Sequence, residues 1–317
     1  MGHTIRSAVG VAAALAALLA APALAAGAPT NVSINSSQSI LTVRAAANSI
    51  NVVQVSANLA TGRIGVSDTA SGVVTTDPVC TSPAAGIVTC PLGQLTKIVV
   101  RLNDLADRAE IGGSVPSSIP ASLDGGPGND QLFSASAADV LAGSSGNDFM
   151  DGGPGPDSFR GGSGNDTASY ATRTTGVLAQ IGVSNGSGGA PDGPPGGADT
   201  IWGDTENVIG GAAADFIVGS ARANSLIGGD GDDSIYGKRG NDFIDGGPGS
   251  DFLVGNREND RIVGGSGLDR LRGKLGFDRL FAVDGERDIS LKCGPGRDRL
   301  FRDAIDPRGK SCKRRGR

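Results

Sequence analysis

The sequence predicts an all-β protein, a stack of nine-residue units preceded by a small β module. Three observations predict it. Aspartates recur at 130, 139, 148, 157 and 166, and after a break at 215, 233, 242, 251, 260, 269 and 278, with Asn224 filling the one gap. Two residues past each of these thirteen positions the side chain is large and apolar in twelve cases, among them Leu132, Met150, Ile217, Ile244 and Leu280. Glycine turns precede the aspartates, as in Gly125-Gly126-Pro127-Gly128-Asn129-Asp130. A glycine turn alternating with a three-residue strand, its middle side chain pointing inward, accounts for all three, because the turn takes backbone angles that a side chain forbids. One such unit cannot bury itself, whereas stacked units share a core.

Residues 1–25 hold Arg6, an apolar run from Ala8 to Ala21 and Ala23-Leu24-Ala25, and are expected to be a cleaved secretory signal peptide. Residues 26–122 read as an N-terminal β module that begins or caps the stack, with β-branched runs at Ile40–Val43, Ile50–Val55, Ile87–Val88 and Ile98–Val100. No aromatic residue precedes Phe133, so a carbohydrate-binding face in this module has no support. The first repeat block is 123–169. From Asp166 to Asp215 is 49 residues, five nonapeptides plus four, so 170–209 is either an insert or a pair of enlarged coils, with Val177–Ile181 as a strand candidate; continuation of the stack is the favoured reading.

The second block is 210–281. In 282–317 the step lengthens to ten, giving Asp288 and Asp298, and the chain ends in Lys313-Arg314-Arg315-Gly316-Arg317. This segment reads as a terminal cap with a solvated basic tail. The four cysteines suit an oxidising compartment. Their economical pairing is local, Cys80 with Cys90 and Cys293 with Cys312, each stapling one end.

Composition excludes much. His3, in the leader, is the one histidine, so Ser-His-Asp, Cys-His and H-E-x-x-H chemistry have no residues to run on. Twelve aromatic residues are too few for a large compact core. Residues 123–281 carry 22 acidic and 11 basic side chains, and stacked aspartates repel by ~1 kcal/mol per pair even in water.

The repeat resembles the hemolysin-type calcium-binding (RTX) nonapeptide family of secreted bacterial proteins, whose signature is G-G-x-G-x-D-x-U-x. The resemblance covers 123–281. It implies a right-handed parallel β-roll or β-helix, two nonapeptides to a coil, with Ca2+ held between loops 18 residues apart by glycine-turn carbonyls and the Asp of each loop. Calcium takes six to eight hard oxygens, which such loops supply, so folding and calcium binding are expected to be one event.

The strongest expected sites are two rows. In the first, Asp130, Asp148 and Asp166 close turns that include Gly125, Gly126 and Gly128. In the second, Asp233 follows Gly228, Gly229 and Gly231; Asp251 follows Gly246, Gly247 and Gly249; Asp269 follows Gly264, Gly265 and Gly267. Asp157, Asp215, Asp242 and Asp278 complete the expected metal set. Asp139, Asn224 and Asp260 close degenerate turns expected to be plain. At Asp242 and Asp278 the intervening Lys238, Arg239 and Lys274 could replace calcium in neutralising the row.

The expected protein is therefore a secreted, extracellular, calcium-binding module without catalytic residues, structural or adhesive in role. Related rolls serve toxins, proteases and lipases as export and folding modules, or stand as surface and matrix proteins. An N-terminal leader and the lack of a catalytic domain depart from the export type. The alternative is a calcium-dependent lyase or epimerase-like enzyme on acidic polysaccharide, using Arg160, Lys238 or Arg239. Expected partners are calcium ions and cell-wall or extracellular polysaccharide, with no nucleic acid and no membrane span.

Overall fold

A computed structural model describes residues 29–35, 37–182 and 199–312. The expected signal peptide, most of the Gly/Pro-rich part of the insert and the basic tail lie outside the described residues. Among those described, every regular element is a strand. Three sheets of fourteen, eight and six strands make up the fold.

The inward apolar positions stack in register and set the architecture. Along the fourteen-stranded sheet, Val53, Ala109, Leu132, Met150, Ala168, Val208, Leu226, Ile244, Ile262, Leu280 and Leu300 pair in parallel, rung on rung. The opposite wall has two parts. Val43, Val100, Leu123, Leu141, Phe159 and Ile201 form the ladder of the eight-stranded sheet. Ala179, Ile217, Ile235, Leu253, Leu271 and Leu291 form that of the six-stranded sheet. All but Leu300, which packs against its edge, belong to one buried core. This is a parallel β-roll, with eighteen residues to a coil in the repeat blocks.

Strands of the expected three residues, such as Gln131–Phe133, Phe149–Asp151 and Ser225–Ile227, stand beside longer ones. Phe243–Pro248, Phe252–Arg257, Arg261–Ser266 and Arg270–Leu275 have six each, because the glycine turns of successive coils also lie in register, as Gly247 does with Gly265. The N-terminal module joins the roll directly. Its antiparallel strands Thr30–Asn35 with Ile40–Arg44, and Val52–Asn58 with Arg63–Asp68, sit at the outer end of the two parallel walls. Both expected disulfides are present, Cys80–Cys90 and Cys293–Cys312.

The segment after Asp166 inverts the chain order on one wall. Thr200–Ile201 pairs with Ser158–Phe159, whereas Leu178–Gln180 pairs with Phe216–Val218 further along. A bridge between Ile181 and Ile201 joins the two strands. The later strand therefore fills the rung that the earlier one skipped. On the other wall Thr167–Ser169 pairs directly with Asn207–Ile209, so that sheet runs through without a break.

Candidate metal sites

The turns form two rows, one at each edge where the chain crosses between walls. At the first edge the chain enters the fourteen-stranded sheet, and at the second it leaves. In both rows the Oδ1 of one Asp accepts the backbone N–H of the Asp in the preceding coil. At the first edge Asp107 N–H donates to Asp130, Asp130 to Asp148 and Asp148 to Asp166, at 2.8, 2.8 and 2.9 Å. Asp166 N–H donates to Glu206 Oε2, and the row resumes from Asn224 through Asp242, Asp260 and Asp278 to Asp298. At the second edge the row runs from Asp139 through Asp157 to Asp199, then from Asp215 through Asp233, Asp251, Asp269 and Asp288 to Asp306.

The two glycine-rich rows thus lie on opposite edges. The reordered segment carries the chain from Asp166 at the first edge to Asp215 at the second. The turns closing at Asp233, Asp251 and Asp269 continue the Asp139 and Asp157 row, and the degenerate turns of the second block continue the Asp130 row. A second ladder explains the recurrent Asn. The Oδ1 of Asn129 accepts the N–H of Asn147, and Asn147 does the same for Asn165.

The glycines are required by contact. A Cβ on Gly146 would lie 1.5 Å from the Gly128 carbonyl oxygen, and one on Gly228 would lie 2.0 Å from Asp233 Oδ2. Turn carbonyls therefore face the next coil, and each carboxylate folds over the first glycine of its own turn. Where glycine is missing, other residues hold the left-handed angles: Ser144, Lys238, Asn256 and Lys274, with φ near 80°.

The second carboxylate oxygen is the informative atom. Oδ2 is buried without a hydrogen-bond partner in Asp130, Asp148, Asp166, Asp233, Asp251 and Asp269, and also in Asp157, Asp242, Asp260, Asp278, Asp288 and Asp298. Native structures leave few such groups unsatisfied, and each needs an explanation. Of the three degenerate turns expected to be plain, two satisfy the atom locally, whereas Asp260 leaves its Oδ2 as unpartnered as the glycine-rich turns do. Ser134 Oγ donates to Asp139 Oδ2, and the Asn224 side chain accepts from Ser220 N–H and donates to the Glu206 carbonyl. Asp215 is also satisfied, by Gly211 N–H at 2.6 Å.

The electrostatics agree. Burial pushes Asp130, Asp233 and Asp269 up to about 7 and Asp251 up to about 8, with bonds from the backbone opposing it and neighbouring carboxylates adding to it. Asp148 and Asp166 rise to about 6 for the same reasons. Asp157 rises furthest, to about 10, through burial and the charge of Asp199. Ionised together, these rows need a cation.

Among the described residues no three His, Cys, Asp or Glu side chains converge. A bound ion would therefore take most of its ligands from turn carbonyls, with one carboxylate from each turn. An all-oxygen set of that kind suits calcium, and the unsatisfied Oδ2 atoms fit it.

A family model described as the RTX calcium-binding nonapeptide repeat matches the chain in four copies, over residues 122–141, 133–168, 209–244 and 245–280. The chain carries RTX calcium-binding repeats. No curated protein matches it. The RTX segments coincide with the two blocks on either side of the reordered strands. Asp107 belongs to the same row, although it lies 23 residues before Asp130. Its signal in the sequence is Asp107-Arg108-Ala109, an Asp followed two residues later by an apolar side chain.

One expectation about basic residues needs correction. Lys238, Arg239 and Lys274 do not pair with the carboxylates of their turns. The ion pairs among the described residues are Arg108–Glu110 and Arg222–Glu206. Lys238 and Lys274, both at left-handed backbone angles, line a groove together with Arg239. The cation that does enter a turn is Arg173, which is buried and donates to the Gly153 carbonyl in the turn of Asp157. Arg160 lies over Trp202 at 4.3 Å, four rungs from Lys238, or about 19 Å, so the basic residues of the enzymatic alternative fall in two separate places on the wall.

Proposed function

We propose that the protein is a secreted, extracellular RTX module, non-enzymatic, whose β-roll folds on binding Ca2+ and then serves as a rigid structural or adhesive element. The observation that carries this reading is the row of buried Oδ2 atoms without partners, with a carbonyl of the next coil close by in the turns of Asp166, Asp233, Asp242, Asp251 and Asp278. Asp130, Asp148 and Asp166 would hold ions at the first edge, with carbonyls of the turns begun by Gly125, Gly126 and Gly128. Asp233, Asp251 and Asp269 would hold them at the second, with the Gly228, Gly229, Gly231, Gly246, Gly247, Gly249, Gly264, Gly265 and Gly267 turns. Asp157, Asp242 and Asp278 extend the rows, while Asp215 has its second oxygen already bonded and is a weaker candidate.

Bound calcium supplies fixed positive charge between like-charged coils. The chain supplies backbone oxygens already aligned by the β-ladders, so binding orders whole coils rather than single loops. Two disulfides and the expected leader support an extracellular place. No helix among the described residues is long and apolar enough to cross a membrane.

Equilibrium dialysis against calcium tests this reading. The mature protein is expected to hold roughly four to six ions at 10⁻⁴–10⁻³ M, the range of extracellular modules. Asp148→Asn and Asp251→Asn should each lower the count. A protein that retains no calcium at 10 mM would overturn the reading.

A further inference from the structure

The outward face of the six-stranded sheet is unlike the rest of a chain whose formal net charge is −5. The positions alternating with the core are Phe216 and Val218, Ser234 and Tyr236, Phe252 and Val254, Arg270 and Arg272, and Ser290 and Lys292; Val218 and Val254 are buried, the others half-buried or exposed, and none is a carboxylate. Over it lies an open groove of about 890 Å³. Its cations are Lys238, Arg239, Arg257 and Lys274, and among the described residues no acid lines it. A second hollow shares Lys274 and adds Arg272, Lys292 and Lys310, again without an acid among the described residues.

The two hollows form one track along the stack. From the strand Leu178–Gln180 to the bridge of Lys292 with Lys310 is six rungs, roughly 29 Å at the usual strand spacing. Along its floor run Phe216, Tyr236 and Phe252 with centroids 5.5 and 5.8 Å apart, and Arg272 lies 4.7 Å over Phe252. The cations that the sequence associates with the turns of Asp242 and Asp278 are thus delivered to this track.

We propose that this track binds an extended anionic polysaccharide, a chain that carries carboxylates at regular intervals. The inference rests on the reading of the protein as an extracellular binding module. Charge complementarity selects a polyanion, because an acidic protein that lines two adjoining hollows with seven cations and, among the described residues, no carboxylate attracts negative charge there and repels it at the turn edges. The rung spacing is close to the length of one sugar unit, so a linear chain with an acid on every second sugar places its carboxylates opposite cations two rungs apart. The aromatic floor favours sugar over nucleic acid. Its rings pack against one another at 45° and 61° and leave no gap for a base to stack between them, whereas Phe216, 42% exposed, offers apolar surface to the C–H groups of a sugar ring.

The test uses calcium-loaded protein and fluorescence anisotropy. The probe is an end-labelled hyaluronate decasaccharide, which does not gel with calcium. Controls are an uncharged dextran oligosaccharide and a single-stranded oligothymidylate. The variant R239Q/R257Q/K292Q removes three cations from the track, and R44Q/R101Q/R299Q removes three from elsewhere. The expected result is salt-sensitive binding of hyaluronate, weakened at least tenfold in the first variant, nearly unchanged in the second, and absent for dextran. Equal loss in both variants, no hyaluronate binding, or preference for the oligothymidylate would overturn the proposal. Circular dichroism of each variant with and without calcium separates the two readings: a calcium response without hyaluronate binding removes only the track.

Discussion

Asp251→Asn should change stability in opposite directions with and without calcium. Asp251 is fully buried, its Oδ1 accepts the N–H of Asp233 at 2.8 Å, and its own N–H donates to Asp269 at 2.9 Å. Asparagine keeps the accepting oxygen and removes the charge. In chelator at pH 9 the wild-type carboxylate faces Asp233 and Asp269, one rung away on either side. At about 4.8 Å each repulsion costs about 0.9 kcal/mol at the dielectric constant of water. The variant should therefore be more stable than wild type by roughly 1–2 kcal/mol when metal is absent.

With saturating calcium an ion loses one anionic ligand. The loss should be roughly 2–4 kcal/mol, between the limits for exposed and fully buried ion pairs. Urea denaturation followed by far-UV circular dichroism measures the calcium arm, and the concentration of a stabilising osmolyte needed to fold the chain in chelator measures the metal-free arm. If the variant is destabilised in chelator and unaffected in calcium, Asp251 acts only as a hydrogen-bond acceptor and the metal argument fails at this site.

Further outcomes follow from the same geometry. Gly249→Ala places a Cβ 1.9 Å from the Gly231 carbonyl at a φ of 149°, so the turn must open; calcium affinity should fall at least tenfold in a dialysis titration, and an unchanged affinity would remove the close approach of the turns from the account. The pH dependence should invert with metal. The folded values of Asp130, Asp233, Asp251 and Asp269 lie above the ordinary 3.8, so folding of the metal-free protein takes up protons. Its stability should be highest near pH 4 and decline as pH rises through about 7 to 8, whereas in calcium acidification should weaken it as protons displace the ion. Replacing Cys293 and Cys312 by serine opens a loop of 19 residues and should cost about 3 kcal/mol. Hydrogen exchange should place that loss in the last coils around Asp298 and Asp306, and a loss spread evenly to the N-terminal module would contradict a nearest-neighbour stack.

The period of nine made the roll legible, since a register with one inward side chain per unit admits few other folds. Leu132, Leu226 and Leu253 stand at 0% exposure, as their spacing after the Asp requires. The edge exchange was not legible. It depends on which rung Leu178–Gln180 and Thr200–Ile201 occupy, and counting residues does not fix that choice once the period is lost. Asp107 escaped for a related reason: the turn-rich stretch 112–120 lengthens its step to Asp130. The turns of Asp139, Asn224 and Asp215 needed side-chain geometry, because Ser134, Ser220 and Gly211 decide whether an oxygen is left over. The basic groove was hidden because its residues come from five strands and two turns that stacking alone brings together.

The central claim is that calcium and this fold are coupled, and the most direct measurement is a calcium titration of chelator-treated mature protein followed by far-UV circular dichroism, with magnesium as the control. The account predicts a cooperative rise of β-signal near millimolar calcium that magnesium does not reproduce. A chain already folded in chelator and indifferent to calcium would contradict it.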